Sequence, residues 1–177
     1  MTSPPYRAAL LGSAVLALAA CAAPAVRAPA DIPAALVVPG AQVPAAELLA
    51  VGVQIYECEL NEGASPSGVW KFKSPEASLT DTTGRALGKH YAGPTWEAID
   101  GSSVVGQLRA SAPAPDAGAI PWLALNVKSA KGTGIFSSVT DVLRVRTSGG
   151  IAPAQACAAG DAKQLARVPY TATYYFY

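Results

Sequence analysis

From residue 51 to the last residue, turn chemistry interrupts the chain about every ten residues, and short runs of alternating apolar side chains lie between the turns. That rhythm leaves little room for anything but an all-β fold. Residues 51–60 alternate, with Val51, Val53 and Ile55 toward one side and Tyr56, Cys58 and Leu60 toward the other. Residues 69–73 set Trp70 and Phe72 inward and Lys71 and Lys73 outward. Residues 94–99, 104–109, 120–128, 139–146 and 170–177 are further strand candidates. The turns are Asn61-Glu62-Gly63, Asp81 to Gly84, Asp100-Gly101, Lys131 to Gly134 and Gly149-Gly150, with a longer loop at 113–119. The expected architecture is a single antiparallel β-sandwich or small β-barrel of seven or eight strands, with short helical pieces near 45–49 or 154–167. The closing run, Tyr170 to Tyr177, reads as a terminal strand with aromatics packed on both faces.

A length of 177 residues suits one domain with a tail. With Lys+Arg 13 against Asp+Glu 12, the near-zero net charge argues against nucleic acid as a partner, since binding phosphates needs a basic face. One histidine and three cysteines leave little for a multi-ligand metal centre, so neither metal nor cofactor is expected, and the chain is expected to be a monomer.

The N-terminal region reads as an export signal. Arg7 precedes thirteen uncharged residues, 8–20, a run too short to span a bilayer but long enough for a signal. Leu18-Ala19-Ala20-Cys21 resembles the lipobox of bacterial lipoproteins. That resemblance implies cleavage before Cys21, diacylglycerol on its thiol and an acylated new amino group. Each buried methylene contributes about 0.8 kcal/mol, so several chains anchor firmly. Ala22, where such proteins often carry Asp for inner-membrane retention, implies sorting to the outer membrane. Removing residues 1–20 takes away Arg7 and leaves 12 side chains of each sign, so lipid and not charge would hold the protein to the membrane. Residues 21–46 follow as an Ala/Pro-rich tether, with prolines at 24, 29, 33, 39 and 44 forbidding a continuous helix. A first strand around 35–38 is the alternative there. Residues 47–177 form the domain.

With Cys21 assigned to lipid, Cys58 and Cys157 remain as a pair in an oxidising compartment. A bridge between them closes a loop of about 100 residues, worth up to ~4.7 kcal/mol in the chain-entropy model. The alternative, a redox-active thiol, has no C-x-x-C spacing behind it.

Candidate site residues are few. His90 with Glu97 or Asp100 has the composition of an acid–base pair, provided the intervening turn brings them together. Trp96, Tyr91 and Trp122, with Trp70, offer faces for a sugar or other ring compound, although core packing is the commoner use of tryptophan. Asp141, among Val139, Leu143 and Val145, needs a partner such as Arg144, His90 or backbone amides if it is buried. These residues suggest an exported, lipid-anchored envelope protein, periplasmic or surface-facing, that binds a small molecule or glycan or serves structurally. The alternative is an envelope hydrolase using His90 with Glu97 or Asp100.

Several segments in order resemble a bacterial and fungal family known as domain of unknown function 3455. They are Gly52 to Cys58, Trp70-Lys71-Phe72 with Pro75-Glu76-Ala77, Gly88 to Glu97, Asp100-Gly101-Ser102, Ile120 to Leu123, Arg146 to Gly150 and Tyr170 to Tyr177. The likeness covers about residues 51–177 and includes rare Trp and Cys positions. It implies no established activity. Some fungal members carry a dehydrogenase label, but this chain lacks the glycine-rich dinucleotide fingerprint, and the label does not transfer.

Overall fold

In the computed structural model, which describes residues 26–40, 43–61 and 67–177, the strands close into a ring. They are β1 (Ala46–Leu60), β2 (Ser67–Thr80), β3 (Ala86–Tyr91), β4 (Thr95–Ala98), β5 (Ser103–Ala112), β6 (Trp122–Lys131), β7 (Asp141–Gly149), the two-residue β8 (Cys157–Ala158) and β9 (Leu165–Phe176). The order is β1-β9-β7-β6-β5-β4-β3-β2, and β2 pairs back onto β1. Every pairing is antiparallel, so eight strands form an up-and-down barrel and β8 attaches to the outer stretch of β2. Of the two expected architectures the barrel is the one adopted. Closure pairs every edge, which a meander of this length otherwise leaves exposed.

Three local expectations are corrected. The helix considered at 45–49 is the start of β1, where Leu48 faces the interior and pairing with β2 and β9 overrides the helical preference of Ala and Leu. The helical pieces among the described residues are 3-10 turns at Ala34–Leu36 and Ala159–Asp161. Strand β3 was not anticipated, because Gly88, Lys89 and His90 break the apolar alternation. Phe72, expected inward, is 57% exposed. The register between β1 and β2 shifts at Ile55/Tyr56, and Phe72 ends at the barrel rim, edge-on against Tyr56 with ring centroids 5.8 Å apart.

Alternation divides the side chains into two clusters. The interior is filled at one end by Leu48, Leu79, Val104, Phe136, Val142 and Phe176. Phe136 comes from the β6–β7 loop and plugs that end, its ring 4.6 Å from that of Phe176. The outer cluster lies over β6, β7 and β9, where Leu36 and Val38 cover Trp122, Leu143, Val145 and Tyr175. Thus residues 26–40, part of the stretch read as a tether, run along the barrel wall. Arg109 fixes them by donating to the carbonyls of Ala35 and Val37 at 3.3 and 3.1 Å. Val26 and Arg27 lie beside Ala46, Leu87 and Ile135 at the plugged end. The last strand packs on both faces as expected, with Tyr174 and Phe176 inward and Tyr175 and Tyr177 outward.

Cys58 and Cys157 are bonded, tying the end of β1 to β8 at the opposite end of the barrel. Gly68 permits this approach: a Cβ there would lie 2.9 Å from the Cys157 sulfur. Ion pairs Lys71–Glu59, Lys89–Glu97 and Arg167–Glu76 stud the outer surface, which is not the continuous apolar band of a membrane barrel. Among the described residues no helix is long and apolar enough to cross a membrane.

Candidate functional site

The barrel wall is uneven. Strands β1 and β2 are 15 and 14 residues long, whereas β3 and β4 have only 6 and 4. Where the wall is low, above the β3–β4 turn, a cavity of about 240 Å³ enters the half of the barrel away from Phe136. Its lining includes His90, Trp96, Leu123, Leu125, Arg144 and Tyr174, with Phe72, Pro94 and Leu108 at the rim. Gly106 leaves room for the indole: a Cβ there would sit 2.9 Å from the Trp96 ring.

His90 and Trp96 are opposed across β3 and β4 and stack with centroids 4.5 Å apart and planes 11° from parallel. Tyr174 meets both rings edge-on. His90 Nδ1 lies 2.8 Å from the Thr95 carbonyl, which only accepts, so Nδ1 carries the proton and donates. Burial lowers the imidazole pKa to about 4, and the Arg144 charge pushes the same way against the Thr95 hydrogen bond. At neutral pH the ring is uncharged.

The three candidates for acid–base chemistry do not meet. Glu97 follows Trp96 in the strand and therefore points to the outer surface. There it accepts a 2.6 Å hydrogen bond from Tyr91 and pairs with Lys89, which together lower its pKa. Asp100 serves the plugged end. Its carboxylate accepts from the Ser102 hydroxyl and amide and from the Ile135 amide, which fastens the loop carrying Phe136 and lowers its pKa. The aromatic candidates are also dispersed. Trp96 lines the cavity, Tyr91 is on the outer surface, Trp122 is buried beneath the 34–36 turn, and Trp70 donates to the Gln155 carbonyl. Asp141 is partly buried and accepts from Asn126 and Thr140, not from Arg144 or His90. Among the described residues no group of three or more His, Cys, Asp or Glu side chains is placed to hold a metal ion.

Sequence reasoning missed the polar groups inside the barrel, of which Arg144 and Tyr174 line the cavity. Arg144 shares the inward face of Val142, and its Nε and Nη2 donate to the Pro121 carbonyl at 3.2 and 2.8 Å. Among the described residues it forms no ion pair with a carboxylate. Its charge reaches Tyr56, His90, Tyr170 and Tyr174. Tyr56 donates to the Gly150 carbonyl at 2.6 Å, but the buried hydroxyls of Tyr170 and Tyr174 and the Gln54 amide nitrogen have no hydrogen bond of good geometry, although Tyr174 is near enough to Tyr170 and Arg144, and Tyr170 to Gln54, to interact weakly. Burial raises the pKa of both tyrosines, so they stay protonated and able to donate. The available signal was a polar residue at an inward position of an apolar strand, Gln54 in β1 and Arg144 in β7.

The family profile described as "Protein of unknown function (DUF3455)" matches residues 39–177, the whole barrel. The chain belongs to the DUF3455 family. No curated protein and no solved structure matches it. A neutral, shielded histidine remote from both acids is poorly set for proton transfer, whereas an apolar cavity with a few converging polar groups is the usual form of a small-molecule site.

Proposed function

We propose that this DUF3455 protein is an exported, lipid-anchored envelope protein whose barrel takes a small, largely apolar molecule into its open end. The cavity beside Trp96 carries the reading. An apolar cavity of about 150 Å³ accommodates benzene, and this one, at about 240 Å³, has room for a ring with a short substituent. Eight-stranded barrels are just wide enough to fill with side chains or to hold one small ligand. Here the Phe136 end is filled and the other end is not. The separation of His90 from Glu97 and Asp100 favours binding over hydrolysis at those residues.

The small neutral dye 1-naphthylamine, whose emission shifts to the blue in apolar surroundings, tests the pocket. A saturable blue shift that is lost in Leu108→Trp, which fills the rim, supports it. No shift, or the same shift in the variant, rejects it.

The anchor rests on the lipobox-like Leu18 to Cys21, which lies outside the described residues. The bonded Cys58–Cys157 pair is in keeping with an oxidising compartment. Mass spectrometry of the mature protein should find Cys21 as the N-terminal residue bearing diacylglycerol and an acyl chain, with palmitate incorporated. Outer-membrane fractionation should be lost in Cys21→Ala. A cut elsewhere, or an unmodified Cys21, rejects the anchor.

A further inference from the structure

We propose that the ligand of this cavity is a small organic monocarboxylate, its apolar body against Trp96, Leu123 and Leu125 and its carboxylate on Arg144. This deepens the binding reading above and rests on it. Two cations line the cavity, Lys73 and Arg144. Lys73 is half-exposed to water and sits beside Glu57, a carboxylate it shares with Lys163, so its charge is solvated and has an anion next to it. Arg144 is partly buried, gives two donors to one neutral carbonyl and meets no carboxylate among the described residues. A guanidinium has five donors, and an unmatched charge in a low-dielectric setting is costly until an anion arrives.

The neighbouring groups suit the same anion. Tyr174 is fully buried, lines the cavity and has a hydroxyl without a hydrogen bond of good geometry. It lies close to Arg144, and an acceptor held on that guanidinium would give the Tyr174 hydroxyl the hydrogen bond of good geometry that it lacks. His90 is neutral and adds no second positive charge. Among the described residues Arg144 is the cation of the lining with no carboxylate beside it, and one guanidinium calls for one negative charge. The planar fork of arginine fits a carboxylate through two parallel hydrogen bonds. The remaining lining is mostly aromatic and aliphatic, which calls for an apolar body.

trans-Cinnamate and cinnamamide share a shape and differ in charge. Calorimetric titration of the full mature chain should show cinnamate binding about tenfold or more tighter than the amide, as expected of a charge-assisted pair. Arg144→Met should erase that preference while amide binding persists, and Arg144→Lys should restore part of it. Equal affinities in the unmodified protein overturn the carboxylate assignment and leave the dye-binding pocket standing. A preference that survives Arg144→Met overturns the role of Arg144. Binding of neither compound by a protein that binds the dye also overturns the assignment. Loss of dye binding as well rejects the pocket itself. The comparison in the unmodified protein needs no variant, so a misfolded Arg144→Met does not protect the proposal.

Discussion

The two ends of the barrel are built from the same strands and treat their interior in opposite ways. At the plugged end, Leu48, Leu79, Phe136 and Phe176 are essentially excluded from solvent, and the loop carrying Phe136 is fastened by Asp100 and Ser102. At the open end, aromatic rings, Arg144 and the Tyr174 hydroxyl line a cavity. Apolar packing is concentrated at the first end, while the second, tied by the Cys58–Cys157 bond, keeps buried polar groups without hydrogen bonds of good geometry.

Truncations give the sharpest contrast. Phe176→Ala at the plugged end should cost about 3–5 kcal/mol in urea unfolding. Leu123→Ala beside the cavity should cost under about 1 kcal/mol, because little packing surrounds it on the cavity side. Equal losses would erase the distinction. Next, removing the disulfide with Cys58→Ser and Cys157→Ser should cost about 2–5 kcal/mol. Amide exchange should then accelerate first in residues 150–164; faster exchange at β4 or in the Phe136 loop would mean the bridge supports the plugged end instead.

His90 provides a pH-dependent test. The folded protein holds the imidazole neutral down to about 4, whereas in the unfolded chain it takes up a proton near 6.5. Protonation therefore favours the unfolded state, and stability should fall as pH drops from 6.5 to about 4 and not fall further from this group below that. In His90→Phe the melting temperature should decline less over the same window. Parallel curves for the two proteins would show that His90 is not shielded. The smallest effect concerns hydroxyls. Tyr174→Phe should change stability by no more than about 0.5 kcal/mol, since no good hydrogen bond is lost, while Tyr56→Phe should cost about 1 kcal/mol. A larger cost for Tyr174 would reveal a partner within the cavity.

The all-β class, most of the strands and the Cys58–Cys157 bond were legible in the sequence, because alternation, turn chemistry and cysteine pairing are local or nearly enumerable signals. Ring closure was not: the pairing of β1 with both β2 and β9 depends on how far each strand coils, which alternation does not encode. The site was legible only at Trp96 and His90. Proximity in sequence suggested that Glu97 and Asp100 belonged with His90, but a one-residue step in a strand reverses direction. Arg144 and Gln54 escaped notice because a lone polar residue in a strand ordinarily marks the solvent face.

The run of residues 26–38 along the wall has a geometric corollary. Val26 rests at the plugged end, only five residues after Cys21. Five residues stretch to about 18 Å at most, so on the proposed anchor the plugged end would be the part of the barrel held nearest the lipid. The mouth, at the far end of the same strands, would then take its ligand from the aqueous side.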